Sequence, residues 1–271
     1  MYKLIAIDMD GTLLKDNKTI SNENIEAIKK AVEHGTKVSL ATGRPIKGIE
    51  KYLKQLDLIS DSNYAVGFNG AVVENTMSHK IISQDTLSQD DIEFIYKLSK
   101  APNIYPQIAL KDSSVSPIKN KYSELDAYLN KITFKIGSIE NVSENENIFK
   151  FMFLGEGPDL SRCISKLPKE IYDKYTVVRS EPEILEFMNK NTNKGHGVDV
   201  LAKKFGIDKS EVICIGDSFN DVHMIKYAGL GVAMGNAATE VKNIANYVTK
   251  TNEENGVAHV INKFVLSGIL N

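Results

Sequence analysis

The sequence predicts an α/β protein built on a parallel sheet, with a smaller domain inserted into the larger one. Short apolar runs alternate with amphipathic helical patterns over roughly the first 60 and the last 80 residues, which is typical of βαβ units. Between them, apolar and polar residues alternate singly, which is typical of an antiparallel sheet with one covered face. We therefore predict a core domain over 1–83 and 188–271 and an inserted domain over 84–187.

The first part of the chain carries strand and helix signals in turn. The apolar run Leu4–Ile7 suits a strand buried on both faces of a sheet. Ser21 predicts the start of a helix, and Gly35 stands where a glycine commonly ends one. A second strand is predicted over 38–41, and Pro45 can open the next helix.

The last part of the chain repeats this alternation. Apolar stripes predict helices over 198–205, 222–228 and 241–245, and apolar runs predict strands over 212–215 and 231–234. The middle differs from both ends. Ser88 predicts the start of a helix, alternating phenylalanines over 149–153 predict a strand, and a helical stretch near 160–172 precedes Val177 and Val178.

Length and charge exclude several classes of function. A chain of 271 residues allows about two domains at roughly 150 residues each. The 33 basic and 35 acidic residues give a formal net charge of −2, which does not favour nucleic acid or an anionic membrane as a partner. No apolar stretch reaches the roughly 18 residues of a membrane span. We expect no nucleic-acid partner and no membrane association; no sequence feature indicates an oligomeric state, and a monomer is compatible with it.

Cysteine usage and the N-terminus indicate the compartment. Cys163 and Cys214 lie in apolar segments without a CxxC neighbour, so we expect two reduced, buried thiols. Residues 1–8 lack the long apolar core and small-residue cleavage site of a signal peptide. We therefore expect a cytoplasmic protein.

Polar residues that suit catalysis follow the predicted strands. Asp8 and Asp10 follow the first strand, Thr42 the second and Asp217 a later one, so these side chains should converge at one edge of the sheet. Asp8 and Asp10 are two residues apart and project to the same side of an extended chain, and Gly11 then permits a sharp turn.

The negative charge gathered at this edge predicts a metal cofactor. Asp8 is ionised at pH 7 and can attack phosphorus without an activating base, while Asp10 can donate and accept the proton. Asp8, Asp217 and Asp221 together with a phosphate monoester dianion would concentrate five negative charges, which requires a divalent cation. Oxygen ligands suit Mg²⁺. Lys194 and the start of its helix can supply further positive charge.

These strings resemble the motifs of a known superfamily. DMDGTLL at 8–14, ATGR at 41–44, NKG at 193–195 and GDSFND at 216–221 resemble the four motifs of the haloacid dehalogenase superfamily. FNGA and GVAMGNA, beginning at Phe68 and Gly231, resemble further strings of its Cof-type phosphatases. The resemblance implies a Rossmann-like, doubly wound parallel sheet with an α/β cap inserted after the third core strand. It also implies Mg²⁺-dependent hydrolysis of small phosphorylated metabolites, sugar phosphates in particular, through an aspartyl-phosphate.

The resemblance also implies roles for individual residues. Asp8 is the nucleophile and a metal ligand, Asp10 is the acid/base and gives its backbone carbonyl to the metal, and Asp217 is the other metal ligand. Asp221 supports the metal site from behind its ligands. The phosphate-binding groups are the Met9 amide, Thr42, Gly43, Lys194 and Asn220.

Three residues and two alternative functions stay open at this point. Arg44 contacts the substrate beyond its phosphate or forms a structural ion pair, and Asn69 contacts the substrate or only forms a turn. Glu186 is expected to be a solvated linker residue. A phosphomutase of the same superfamily would return the phosphoryl group instead of releasing it. A phospho-acceptor signalling module would keep it, but such a module has no acid/base two residues after its acceptor and no inserted cap.

Overall fold

A computed structural model describes residues 1–140, 142 and 146–267. Within them the strands are β1 (Leu4–Ile7), β2 (Lys37–Leu40), β3 (Tyr64–Gly67), β4 (Val72–Asn75), β5 (Ile81–Gln84), β6 (Tyr105–Ala109), β7 (Ser113–Ser116), β8 (Thr133–Ile136), β9 (Lys150–Leu154), β10 (Tyr175–Glu181), β11 (Ile184–Asn189), β12 (Val212–Gly216), β13 (Leu230–Ala233) and β14 (Tyr247–Val248). The helices are α1 (Asn22–Glu33), α2 (Glu50–Gln55), α3 (Gln89–Leu98), α4 (Lys121–Asn130), α5 (Gly157–Ile164), α6 (Ile171–Lys174), α7 (Lys194–Phe205), α8 (Val222–Tyr227), α9 (Thr239–Lys242) and α10 (Gly256–Ile261).

The chain forms two compact units. The first comprises Met1–Gly43, Glu50–Ser83 and the chain from Asn193 onward. The second comprises Arg44–Ile49 and Gln84–Thr192.

The first unit is built on a parallel sheet with the strand order β14-β13-β12-β1-β2. Every residue of β1 is buried, as the continuous apolar run Leu4–Ile7 predicts for a strand covered on both faces. A parallel bridge from Ala41 to Val66 connects the end of β2 to β3, which belongs to the three-stranded sheet β3-β4-β5. The predicted α/β fold with a parallel sheet is confirmed.

Local signals place the helices of this unit. The Ser21 hydroxyl accepts a hydrogen bond from the Asn24 amide at the start of α1, and Gly35 takes a left-handed φ of 86° just after its end. The helix predicted over 241–245 extends too far along the chain, because α9 ends at Lys242. Beyond it the chain turns toward β14, and the Asn246 side chain accepts a hydrogen bond from the Gly231 amide.

The second unit is built on a mixed sheet with the strand order β10-β11-β9-β6-β7-β8. Ser88 caps α3 as predicted, with a reciprocal hydrogen bond between its amide and Asp91. The single helix predicted near 160–172 is instead α5 and α6, because Pro168 cannot lie in a helix interior. The expectation that Glu186 is solvated is wrong: it is buried in β11, where its carboxylate pairs with Lys150.

Two further expectations concern the cysteines and the membrane. Cys163 and Cys214 are free and buried, which confirms the expected thiols. In the part of the chain that the structure describes, the helices are too short or too polar to cross a membrane.

Candidate active site

The parallel sheet delivers distant parts of the chain to one edge. β1 lies between β12 and β2 and is paired with both along its whole length. Residues that follow parallel strands leave the sheet at the same edge. Asp8, Thr42 and Asp217 therefore start from that edge, although 209 positions separate the first from the last.

A buried lysine connects two of the carboxylates at this edge. Lys194 is fully buried, and its Nζ lies 2.5 Å from Asp8 Oδ1 and 2.6 Å from Asp221 Oδ1. Lys194 is the first residue of α7, which Asn193 caps by accepting a hydrogen bond from the His196 amide. The ammonium group thus bridges two carboxylates at the start of a helix, where the helix dipole adds positive potential.

Asp221 also organises the loop after β12. Its Oδ2 accepts hydrogen bonds from the backbone amides of Asp217 and Ser218, both at 3.0 Å. A Cβ atom on Gly216 would lie 2.5 Å from the Asp221 side chain, so only glycine permits this approach. Both Asp221 oxygens are therefore engaged by donors of the chain itself.

Asp217 is held from the other side by the turn after β1. The hydroxyl of Thr12 donates to Asp217 Oδ1 at 2.7 Å, and Thr12 is fully buried. Gly11 has a φ of 81°, and a Cβ there would lie 2.5 Å from Asp217 Oδ2. The sequence reasoning missed Thr12 as a site residue. Its signal was available, because it directly follows Gly11 in the DMDGTLL string.

The same turn carries Asp10. Lys18 Nζ lies 2.8 Å from Asp10 Oδ1, and both side chains are partly exposed. Such an exposed pair contributes at most about 1 kcal/mol, so Asp10 can exchange it for another partner at little cost. The Met9 carbonyl accepts hydrogen bonds from two later amides of the turn, and the Asn236 side chain donates to the Gly11 carbonyl at 2.8 Å.

A third group joins Thr42, Asn69 and Asn220. The Asn69 amide donates to the Thr42 carbonyl, and Asn220 Nδ2 donates to Asn69 Oδ1 at 3.0 Å. Asn220 Oδ1 is buried without a hydrogen-bond partner among the described residues. Phe68 and Asn69 have φ values of 50° and 57°, and a Cβ on Gly43 would lie 3.1 Å from Asn69 Oδ1. Strained backbone of this kind concentrates at functional sites.

Arg44 belongs to the second unit, where it begins the segment Arg44–Ile49. It is partly buried. Its assignment to the substrate stays a prediction.

Burial and repulsion shift the protonation of these groups. Burial, reinforced by the charge of Asp221, raises the pKa of Asp8 well above its usual value, although Lys194 opposes the shift. Burial also raises the pKa of Asp217 to about 6, while the hydrogen bond from Thr12 opposes the rise. Burial alone would lower the pKa of Lys194, but Asp221 and Asp8 hold it above its usual value. The cluster thus carries more negative charge than its one lysine balances.

The donor set fits a hard divalent cation. Asp8, Asp217 and Asp221 each offer a carboxylate oxygen, and these oxygens lie within 4.8 Å of one another. Oxygen-only ligands in this number suit Mg²⁺, which keeps several of its own waters. Asp8 and Asp217 are the natural ligands of the three, because both oxygens of Asp221 already accept hydrogen bonds from the chain.

Known proteins resemble the chain over nearly its whole length. The sequence profile described as haloacid dehalogenase-like hydrolase matches residues 5–261. Bacillus subtilis YxeH, named as a phosphatase without a stated substrate, is 41% identical over 98% of this chain and 100% of its own. The 5-amino-6-(5-phospho-D-ribitylamino)uracil phosphatase YwtE of Bacillus subtilis is 35% identical over 98% and 99%. A crystal structure of a haloacid dehalogenase-like hydrolase from Bacteroides thetaiotaomicron superimposes with a TM-score of 0.86, at 32% identity and coverages of 97% and 99%.

Proposed function

The chain belongs to the haloacid dehalogenase-like hydrolases and is a phosphoric monoester hydrolase, and from that premise we propose that it dephosphorylates sugar phosphates through a phosphorylated Asp8, with Mg²⁺ as cofactor. The observation that carries the proposal is the buried contact of Lys194 with Asp8 and Asp221. A buried ion group is costly to maintain, and this one lies at the sheet edge where ligands of α/β proteins bind.

Asp8 is the nucleophile of the proposed reaction. Lys194 fixes the orientation of its carboxylate through Oδ1. A carboxylate oxygen of Asp8 attacks phosphorus, the bond from phosphorus to the alcohol oxygen breaks, and an aspartyl-phosphate forms. Water then attacks phosphorus, the bond from phosphorus to the Asp8 oxygen breaks, and inorganic phosphate leaves with the Asp8 carboxylate restored. Lys194, Thr42, Asn220 and the amides of Met9 and Gly43 hold the phosphoryl oxygens.

Asp10 moves the proton in both steps. It gives a proton to the departing alcohol oxygen and then takes one from the attacking water, which is typically worth about 10²- to 10⁴-fold in rate. The exposed contact between Asp10 and Lys18 is weak, so breaking it between the steps costs little.

Asp8 and Asp217, with the backbone carbonyl of Asp10, are the groups that would hold Mg²⁺. When bound, the cation supplies the positive charge that lets a phosphate dianion approach three carboxylates. Asp221 contributes indirectly, because it anchors both Lys194 and the backbone of Asp217.

The proposed substrate class rests on two likenesses. On its motifs the sequence resembles the sugar phosphatase YidA. The named substrate of YwtE carries its phosphate on a ribityl chain, which is a reduced sugar. Both favour a phosphorylated, polyhydroxylated alcohol.

A phosphate-release screen tests the proposal. The wild-type chain and Asp8→Asn are incubated with sugar phosphates, nucleotides and phosphorylated cofactors, with Mg²⁺, Ca²⁺ or EDTA. We expect sugar phosphates to rank first, EDTA to abolish release, Ca²⁺ to restore it poorly and Asp8→Asn to be inactive. Product without free phosphate would indicate a mutase instead, and a stable phosphorylated enzyme would indicate a signalling module. Full activity after thorough metal removal would refute the cofactor.

A further inference from the structure

Two asparagines from later parts of the chain reach the turn that follows β1. Asn252 Nδ2 donates to the Leu14 carbonyl and to Asp16 Oδ1, both at 3.1 Å. Asn236 Nδ2 donates to the Gly11 carbonyl at 2.8 Å. The two asparagines also contact each other, because the Asn252 backbone amide donates to Asn236 Oδ1 at 3.1 Å. Together they bind the turn at two of its carbonyl groups.

The direction of these hydrogen bonds is fixed by their backbone partners. A backbone amide can only donate, so the Asn236 oxygen faces Asn252 and the Asn236 nitrogen faces the Gly11 carbonyl. A backbone carbonyl can only accept, so the Asn252 nitrogen faces Leu14. Both positions therefore need a side-chain donor, which an ionised aspartate could not supply.

The segment that carries Asn252 is tied to the parallel sheet. The Thr249 amide donates to the Ala233 carbonyl at the end of β13, at 2.9 Å, and the Gly235 amide donates to the Lys250 carbonyl at 3.0 Å. The Asn252 side chain is buried as well. The two asparagines thus connect the turn to a part of the first unit that backbone hydrogen bonds hold in place.

The turn needs such support next to Asp10. Its internal hydrogen bonds run from the amides of residues 12–14 to the carbonyls of the two residues before Asp10. Gly11 directly follows Asp10 with a φ of 81°, and glycine has a wider choice of backbone conformations than other residues. The hydrogen bonds that Gly11 and Leu14 accept from outside the turn restrict the backbone on this side of Asp10.

We propose that Asn252, together with Asn236, is a positioning residue that holds Asp10 where it can reach the departing oxygen. The inference rests on the proposed role of Asp10 as the acid/base. A general acid must lie within hydrogen-bond reach of the atom that it protonates, and a displacement of about 1 Å can cost about 10²-fold in rate. The ion pair of Asp10 with Lys18 is exposed and restricts the side chain only weakly.

Asn252→Ala is the most informative variant, and Asn24→Ala is its matched control. Both asparagines are buried in the first unit, and they make hydrogen bonds to the backbone of residues 238 and 234 positions away. Asn24 accepts its hydrogen bond from the Ala258 amide of α10. Both substitutions should lower the urea midpoint of unfolding, because each removes the partner of a buried backbone group.

The kinetic readout is the dependence of the rate on the leaving group. We compare kcat/KM for benzyl phosphate, whose alcohol needs a proton to leave, with kcat/KM for p-nitrophenyl phosphate, whose nitrophenolate does not. The ratio of the first constant to the second should fall about 10- to 100-fold in Asn252→Ala and keep its wild-type value in Asn24→Ala. Asn236 is exposed, so Asn236→Ala should also lower the ratio, at little cost in stability. A merely structural role would lower both constants together.

A double-mutant cycle separates this inference from the proposed function. Asp10→Ala should lower the same ratio by about 10²- to 10⁴-fold, and adding Asn252→Ala should change it no further, because Asn252 acts through Asp10. An unchanged ratio in Asp10→Ala would refute the acid/base role itself. A ratio that falls in Asp10→Ala but not in Asn252→Ala and Asn236→Ala would overturn the positioning role alone, as would a further full loss in the double variant.

Amide hydrogen exchange tests the same contact without turnover. In metal-free protein, the turn amides of residues 12–14 should exchange faster in Asn252→Ala than in the wild type, because the turn opens more easily. Asn24→Ala should leave their exchange unchanged. Equal exchange in Asn252→Ala and the wild type would show that Asn252 does not hold the turn, and the inference would be wrong.

Discussion

Replacing Asp217 by asparagine should stabilise the metal-free protein at neutral pH. Asparagine keeps the shape of the side chain and an oxygen that accepts the hydrogen bond from Thr12, but it removes one of the clustered charges. Burial raises the pKa of Asp217 from the ordinary 3.8 to about 6, so at neutral pH the folded wild-type chain carries a buried negative charge that its surroundings disfavour.

This difference in pKa sets the direction and the size of the change in unfolding free energy with pH. Between about pH 4 and pH 6 the folded state binds more protons than the unfolded state, so stability falls as the pH rises through this window. A rise from 3.8 to about 6 corresponds to about 3 kcal/mol of unfolding free energy, lost in full above the upper value. Asp217→Asn should keep this unfolding free energy, because asparagine does not ionise.

The assay is urea unfolding in EDTA across this pH range. We expect the wild type and Asp217→Asn to be similarly stable near pH 4 and to differ by up to about 3 kcal/mol near pH 7, with the variant the more stable. Asp61→Asn, at an exposed aspartate, is the control and should follow the wild type. Mg²⁺ at about 1,000 times its Kd should reverse the order, because it adds about 4.1 kcal/mol to the chain that binds it. Parallel pH profiles for the wild type and Asp217→Asn would refute the reasoning.

Three further variants test the catalytic assignments. Asp10→Ala should still give a burst of nitrophenol with p-nitrophenyl phosphate in rapid-quench kinetics, because that leaving group needs no proton, while its steady-state rate falls about 10²- to 10⁴-fold; an equal loss of burst with a sugar phosphate and with p-nitrophenyl phosphate would contradict the acid role. Lys194→Met leaves Asp8 and Asp221 buried without their cation, so urea titration at neutral pH should show a loss of about 3–5 kcal/mol; unchanged stability would count against the buried ion group. Gly11→Ala places a Cβ against Asp217 in a left-handed conformation, so calorimetric titration should show weaker Mg²⁺ binding than in Gly206→Ala, which is equally left-handed but has open space around it.

The core strands were predictable because they are buried on both faces, so every residue in them is apolar or small. β1 and β12 are apolar runs covered on both faces, and Ser21 and Ser88 make the capping bonds that their positions suggested. Helix α4 was not predicted, and the reason is physical. It partly buries Asp126, which accepts amide hydrogen bonds, and leaves Leu125 and Leu129 more than half exposed, so its apolar residues do not mark its inner face.

Only those site residues were predictable whose type and position in the sequence indicate a chemical role. The sequence alone shows carboxylates that follow buried strands and a lysine at the start of a helix. The hydrogen bond between Asn69 and Asn220 joins residues 151 positions apart, and neither amide identifies the other in the sequence. Thr12 stands in the DMDGTLL string and could have been named, but its partner Asp217 is known only once β1 and β12 are neighbours.

Asp221 explains why three carboxylates are clustered where two could hold a cation. Its Oδ1 contacts Lys194, and its Oδ2 accepts the amides of Asp217 and Ser218. Because Lys194 also contacts Asp8, one buried carboxylate sets the positions of Asp8, Lys194 and the loop that carries Asp217. A neutral side chain would not offset the Lys194 charge, and a longer one would meet Gly216, which already approaches Asp221 as closely as a residue without Cβ allows. The carboxylate of Asp221 therefore positions the other groups of the cluster. It also adds a negative charge that Lys194 does not balance and that a divalent cation would balance.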